Sequence, residues 1–253
     1  MRQLRSQIPV WGTIVDVDVA AEILSDSDLK NAIHSVADFC RTVDQDFSTY
    51  IETSWVTRLR QNAVQIQDCP TSVQEVWQLC MQAKYLSDDA FDPWAINGGF
   101  DPSGLVKGWA ADICADMLVA DGVQHVQVNA AGDLSLRGGY FDASDGTIKP
   151  WKIGVVNPDN KTEVLQVFEI TDGAIATSGS YERGAHITDP YTGMIAIGAK
   201  SATVVGAQGW LCDALATAVM VAGQDAAKWF AQPELAEYQV WVINRHENSA
   251  WSI

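Results

Sequence analysis

Between Ala20 and Phe47 the apolar residues Ile23, Leu24, Ile33, Val36, Phe39 and Val43 return at helical spacing, which predicts an amphipathic helix entered through Ser25 or Ser27. Ahead of it, Pro9 to Val19 carries Val10, Ile14, Val15, Val17 and Val19 with Asp16 and Asp18 between them; this alternation predicts a strand, with a bulge or a close backbone approach at Gly12. Ser54 to Gln61 is a short polar-apolar segment. Past the Pro70 break, Val73, Val76, Trp77, Cys80 and Met81 mark one side of a helix over Ser72 to Ser87. Two further Ala/Val-rich stretches, one running from about Gly108 to Gly122 and the other from Gly209 to Gly223, both read as helices. Strands are expected at Val123–Asn129, from the turn at 130–133 through Leu136, at Trp151–Val156, Val164–Ile170, Ser201–Gly206 and Tyr238–Ile243. Helices and antiparallel-looking strands alternate without a regular βαβ order, so the expected class is α+β. No linker or low-complexity run divides residues 1–253, so a single compact domain is expected.

Composition narrows the partners. The 253 residues are 47% hydrophobic, enough for a sizeable core, and carry a formal net charge of -16 from 32 acidic and 16 basic residues. Such a surface repels nucleic acid and anionic membranes. An anionic small ligand would need local help from a lysine, a helix N-terminus or a bound divalent cation. The five cysteines have no metal-ligand spacing and read as reduced, mostly buried hydrophobes. The N-terminal residues include two arginines but no apolar run of signal-peptide length, and no stretch reaches membrane-spanning length. The expectation is a soluble cytoplasmic protein.

Candidate chemistry gathers on a few stretches. Asp101 to Asp112 places a carboxylate, Gly104 and Lys107 just where a helix opens, and a helix start is a ready anion site. The spacing matches neither a P-loop nor a dinucleotide fingerprint. Gly108-Trp109-Ala110-Ala111-Asp112 and Gly209-Trp210-Leu211-Cys212-Asp213 each open a helix at identical offsets. They are either a chance likeness of two Ala/Val-rich helices or a duplicated unit with both helix starts on one cleft. Asp213 and Thr217, four apart, share a helix face. Either they solvate and back-bond their own helix, or they offer the oxygen donors a hard cation such as Mg²⁺ takes. His186, in a polar loop before Asp189-Pro190, is either a solvated loop histidine or a general base.

Taken in order, these segments resemble the ApbE family of flavin transferases. The resemblance runs from Trp11-Gly12-Thr13 through Ser54-Trp55-Val56-Thr57-Arg58-Leu59, Ala90-Phe91-Asp92, Asp101 to Asp112 and Asn129 to Asp133. It continues with Thr177-Ser178-Gly179-x-Tyr181, His186-Ile187-x-Asp189-Pro190-x-Thr192-Gly193 and Asp213-Ala214-Leu215-Ala216-Thr217. It implies a T-fold-like domain with a mixed, mainly antiparallel sheet and packed helices. It also implies a Mg²⁺-dependent enzyme that cleaves FAD, transfers FMN to a threonine hydroxyl of a target flavoprotein and releases AMP. An FAD pyrophosphatase and a non-catalytic FAD-binding protein are the competing readings. By the same resemblance, Asp213, Thr217 and the Gly104 carbonyl hold the metal. Trp11, Ala90, Phe91, Asp92, Asp101, Lys107 and the backbone of Ile187 meet the flavin nucleotide, and His186 takes the threonine proton. This chain departs from the family pattern at Trp11 (often Met), Arg60 (Asn), Ser103 (Gly) and Ala131 (Gly). The arrangement requires Gly104 and Asp213 to lie close together.

Overall fold

The computed structural model describes residues 1–95, 98–179, 187–245 and 249–253. The chain opens on a hairpin, β1 (Arg2–Val10) and β2 (Thr13–Ala21), paired from Arg2↔Ala21 to Val10↔Thr13. The segment expected to be one strand is therefore two strands and a turn. Trp11 (φ 57°) and Gly12 (φ 67°) are both left-handed, as a two-residue turn of type I′ demands, so Gly12 serves the reversal rather than a bulge. In β1 the inward side chains Leu4, Ser6, Ile8 and Val10 alternate with outward Arg5, Gln7 and Pro9. The alternation is there, but its polar half is that of an edge strand.

The first helix, α1 (Asp26–Phe47), is entered through Ser25, one of the two expected positions. Ser25 accepts from the Asp28 N–H while the Asp28 carboxylate accepts from the Ser25 N–H, a capping box that sets the start and leaves Ile23 exposed outside. There follow α2 (Trp55–Arg60), α3 (Thr71–Leu86) and α4 (Ser103–Ala120), then β3 (His125–Ala130) and β4 (Asp133–Arg137). Two small hairpins come next: β5 (Tyr140–Asp142) with β6 (Thr147–Lys149), and β7 (Trp151–Asn157) with β8 (Asn160–Ile170). The chain continues through β9 (Gly173–Gly179), β10 (Ser201–Gly206), α5 (Gly209–Ala222), β11 (Gln239–Ile243) and β12 (Ala250–Ser252).

One eight-stranded antiparallel sheet runs in the order β1-β2-β3-β4-β9-β10-β11-β12. Each half is a hairpin, a helix (preceded in the first half by α1 to α3) and a second hairpin, so α4 and α5 hold equivalent places. Both helices are apolar almost all round because both are covered. α4 lies on β3 and β4, α5 on β9 and β10, each packs on the other, α1 covers α4, and α3 touches both. All five cysteines are free and buried; Cys80, Cys114 and Cys212 have their thiols pushed well up, by burial and, at Cys114, above all by the hydrogen bond with Cys40. No described helix is long and apolar enough to cross a membrane.

α4 and α5 cross at their glycines. A Cβ on Gly209 would stand 2.7 Å from the Gly108 carbonyl oxygen, and one on Gly108 would overlap the Gly209 carbonyl. Four residues on, each helix's aspartate reaches the other's glycine. Asp112 Oδ2 accepts from the Gly209 N–H (2.7 Å), and Asp213 Oδ2 accepts from the Gly108 N–H (3.2 Å). The contact is reciprocal, a local pseudo-two-fold between the helices.

Candidate functional site

The register of the sheet brings two turns and one strand end together. Val15 pairs with Ala130 and Asp133 with Ala176, so the 11–12 turn, the 131–132 turn and the last residues of β9 lie at the same edge. Here a cleft opens between the sheet end, the start of α4 and one face of α5. Its lining includes Ala90, Phe91, Asp92, Asp101, Gly104, Lys107, Ala131, Ser178, Ile187, Asp213 and Thr217.

Gly104 is the close-approach point. A Cβ there would sit 3.0 Å from Thr217 Oγ1 and 3.3 Å from the Phe91 ring, so any larger residue would press both neighbours outward. Its own φ and ψ (−86°, 19°) are non-helical and kink α4 in its first turn. The Gly108 N–H, which a regular helix would aim at the Gly104 carbonyl, donates to Asp213. Thr217 Oγ1 lies 3.3 Å from Ser178 Oγ at the end of β9.

Lys107 reaches across from α4 to form an ion pair with Asp133, the first residue of β4, and its Nζ is 4.0 Å from Asp213 Oδ2. Asp133 and Asp213 are both buried, whereas the lysine remains partly open to the cleft. Buried charges survive when paired, and this ammonium is shared between two carboxylates.

A further part of the lining comes from residues 90–93 and Asp101, beside an aromatic cluster. Trp77 of α3 meets Trp94 at 4.9 Å and Phe100 at 4.6 Å between ring centroids. Within this part of the lining Asp92 accepts from the Trp94 N–H (2.9 Å) and pairs with Lys84, while Asp101 accepts from the Ser103 N–H (3.0 Å). Arg60 donates from Nε to the Gly98 carbonyl (2.9 Å) and has Nη1 3.7 Å from Asp101. The Arg60 departure thus adds a cation beside one cleft carboxylate. Ser103 is not among the residues with positive φ, so its departure carries no left-handed strain. Ala131 is different: its φ of 58° lies in the region glycine favours.

Of the residues expected at the site, Ala90, Phe91, Asp92, Asp101, Gly104, Lys107, Ile187, Asp213 and Thr217 line this one cleft. Trp11 stands in the turn at the cleft end of the sheet, its indole N–H donating to the Cys40 carbonyl of α1 (3.0 Å), and is not among the lining residues. His186 lies outside the described residues. Asp133 has a part that sequence reading did not assign. A carboxylate opening a strand otherwise made of buried positions was the available signal.

A sheet carrying two crossed helices, with an oxygen-lined cleft and a lysine where the helices open, defines an α+β protein with one polar cleft at the crossing. The chain belongs to the ApbE family, whose model matches residues 96–242. It is 35% identical over 135 residues to the FAD:protein FMN transferase of Vibrio cholerae serotype O1, a match covering 49% of this chain and 39% of that protein. Against the FAD:protein FMN transferase of Escherichia coli K12 it is 32% identical over 168 residues, covering 62% and 45%. The chain thus aligns with less than half the length of these relatives. Its fold is that of the flavin transferase ApbE from Vibrio cholerae (TM-score 0.83, 22% identity, covering 100% of this chain and 96% of that one). The flavinyl transferase ApbE of Pseudomonas stutzeri is similar too (TM-score 0.79, 21% identity, covering 100% and 94%).

Proposed function

We propose that this chain transfers FMN from FAD to a threonine hydroxyl of a target flavoprotein and releases AMP, with Mg²⁺ as its metal. The observation that carries the reading is the meeting of Gly104 and Lys107 with Asp213 and Thr217 on one wall of one cleft, from helices far apart in the chain. The names of the relatives support the same activity.

The donor set fits the ion. Asp213, Thr217 and the Gly104 carbonyl are oxygen ligands of the kind Mg²⁺ accepts, few in number, with the ligand's phosphates and water completing the shell. Among the described residues no three His, Cys, Asp or Glu side chains gather into a metal site, so the ion depends on one carboxylate with neutral oxygens and on the nucleotide. When bound, Mg²⁺ offsets the negative charge that grows on the pyrophosphate during transfer.

The remaining steps belong to the chain. Lys107 presents its ammonium to the pyrophosphate from the same wall. Phe91 and Ile187 offer apolar contact to the flavin ring, and Asp92 and Asp101 offer it hydrogen-bond acceptors. As the threonine oxygen attacks the FMN phosphorus, His186 accepts its proton, a role that rests on its sequence motif. The bond from that phosphorus to the bridging oxygen breaks, and AMP leaves with the oxygen and the electron pair. Reactants and products balance as FAD plus threonine giving FMN-threonine, AMP and one proton.

The test is incubation with FAD, Mg²⁺ and a threonine-bearing flavoprotein, followed by denaturing electrophoresis. A covalent fluorescent band together with AMP is the expected result. FMN and AMP without labelled protein would mean that water, not threonine, is the acceptor.

A further inference from the structure

The chain just beyond the cleft is unusual for this surface. From Pro190 to Ala199 there is no charged residue, in a protein of net charge -16. Within it Met194 is 72% exposed, Ile195 53% and Ile197 66%. A group of large apolar side chains held in water next to a binding cleft marks an interaction site more often than chance exposure does.

These side chains are displayed on a fixed frame. Thr188, which lines the cleft, pairs with Ile195 as an antiparallel bridge, and the Ala196 N–H donates to the Ile187 carbonyl (2.9 Å). At the base, the Gly198 and Ala199 N–H groups donate to the Met220 carbonyl of α5 (3.0 and 3.2 Å), and Arg245 donates to the Ala196 carbonyl (3.1 Å). A Cβ on Gly198 would overlap the Val221 carbonyl, so the loop sits directly on the end of α5. Ala196 and Ala199 are buried while the larger residues between and beside them face out. Collapse would cover those residues; the hydrogen-bonded frame holds them away from the core. A pre-ordered apolar surface spends little entropy when a partner covers it.

We infer that Met194, Ile195 and Ile197 form the docking surface for the acceptor protein, gripping an uncharged, apolar segment of that protein beside its threonine and feeding the hydroxyl into the cleft. This rests on the transferase reading above. The occupant follows from continuity: the strand bridge that carries Ile195 carries Thr188 on the cleft wall, so whatever covers the patch reaches the cleft. The absence of charge removes the like-charge repulsion that the rest of the surface would impose on an acidic partner.

The experiment is a kinetic comparison on the intact chain, using a flavoprotein that the wild-type chain labels with FMN. Met194→Asp combined with Ile197→Asp should raise KM for that acceptor ten-fold or more, leaving kcat and the KM for FAD within two-fold. Met194→Leu with Ile197→Val should behave as wild type. If the double aspartate variant melts well below wild type, Met194→Asp alone, at the most exposed of the three positions, carries the same test. An unchanged acceptor KM overturns the docking surface while leaving the transferase reading intact, as does an equal rise in the KM for FAD. So does a wild-type dimer that these substitutions dissociate, for then the patch joins two copies of this chain. A wild-type chain that releases AMP and labels no protein overturns both readings.

Discussion

Asp112 and Asp213 are the same residue of the same five-residue opening, Gly-Trp-x-x-Asp, on two helices that touch reciprocally, yet their surroundings differ. Asp112 is half-buried and held by its neighbours. Its carboxylate accepts from the Gly209 and Trp210 N–H groups (2.7 and 3.2 Å) and from the Ser135 hydroxyl, and it anchors the start of α5. Asp213 makes the matching contact to Gly108 but lines the cleft, with Lys107 at 4.0 Å and Thr217 one turn along. The comparison teaches that a repeated motif sets the crossing of the helices, while the neighbours at each end decide which copy is structural and which is available for chemistry.

Four substitutions sharpen or break this contrast. Gly108→Ala strikes what the two copies share. Its methyl group would collide with the Gly209 backbone and lie 2.9 Å from Asp213 Cβ, with no flexible side chain to yield. A loss of about 4 kcal/mol or failure to fold is expected in denaturant titration, at the upper end of overpacking effects. Asp213→Asn should lower the rate of AMP release from FAD by about 100-fold, equivalent to about 2.7 kcal/mol of barrier, with only a modest change in melting temperature. Equal AMP release in the variant would remove Asp213 from the chemistry.

Asp112→Asn should do the reverse, costing about 1 to 2 kcal/mol of stability because one acceptor must serve donors that a carboxylate satisfied, while FAD affinity changes little. It also has a pH signature. Burial lifts the Asp112 carboxyl above its ordinary range, and the hydrogen bonds from Ser135, Trp210 and Gly209 only partly offset this. The folded chain therefore holds this proton more tightly than the unfolded chain does. Its contribution to stability is fullest below the ordinary carboxylate pKa and declines as pH rises through the raised folded value. Chemical denaturation followed across mildly acidic pH should show that slope in the wild type and a flatter one in Asp112→Asn. The smallest effect belongs to the turn beside the cleft. Ala131→Gly relieves a left-handed alanine at the expense of a freer unfolded chain, so a gain of about 0.5 kcal/mol is expected from thermal melts.

Much of this was legible in the residues. The two Ala/Val-rich helices, the α+β class and the order of short motifs from Ser54 to Thr217 could be read directly, because local spacing leaves its mark on each segment alone. The first hairpin was not, since Arg2 to Gln7 reads as polar until Trp11 and Gly12 are seen to reverse the chain. In the β7–β8 arm β7 was read one residue short and β8 four, because the Lys161-Thr162-Glu163 stretch is exposed.

The sequence by itself determined the donors: an aspartate and a threonine one helical turn apart, and a glycine and a lysine at the opening of another helix. Only the tertiary structure decided that these stand on one wall, that Lys107 is shared between Asp133 and Asp213, that Arg60 leans on Asp101, and that Met194, Ile195 and Ile197 face water. The reason is range. Periodicity and capping act over a few residues and are written in local order, whereas charge pairing and exposure depend on which distant segments the sheet register brings together.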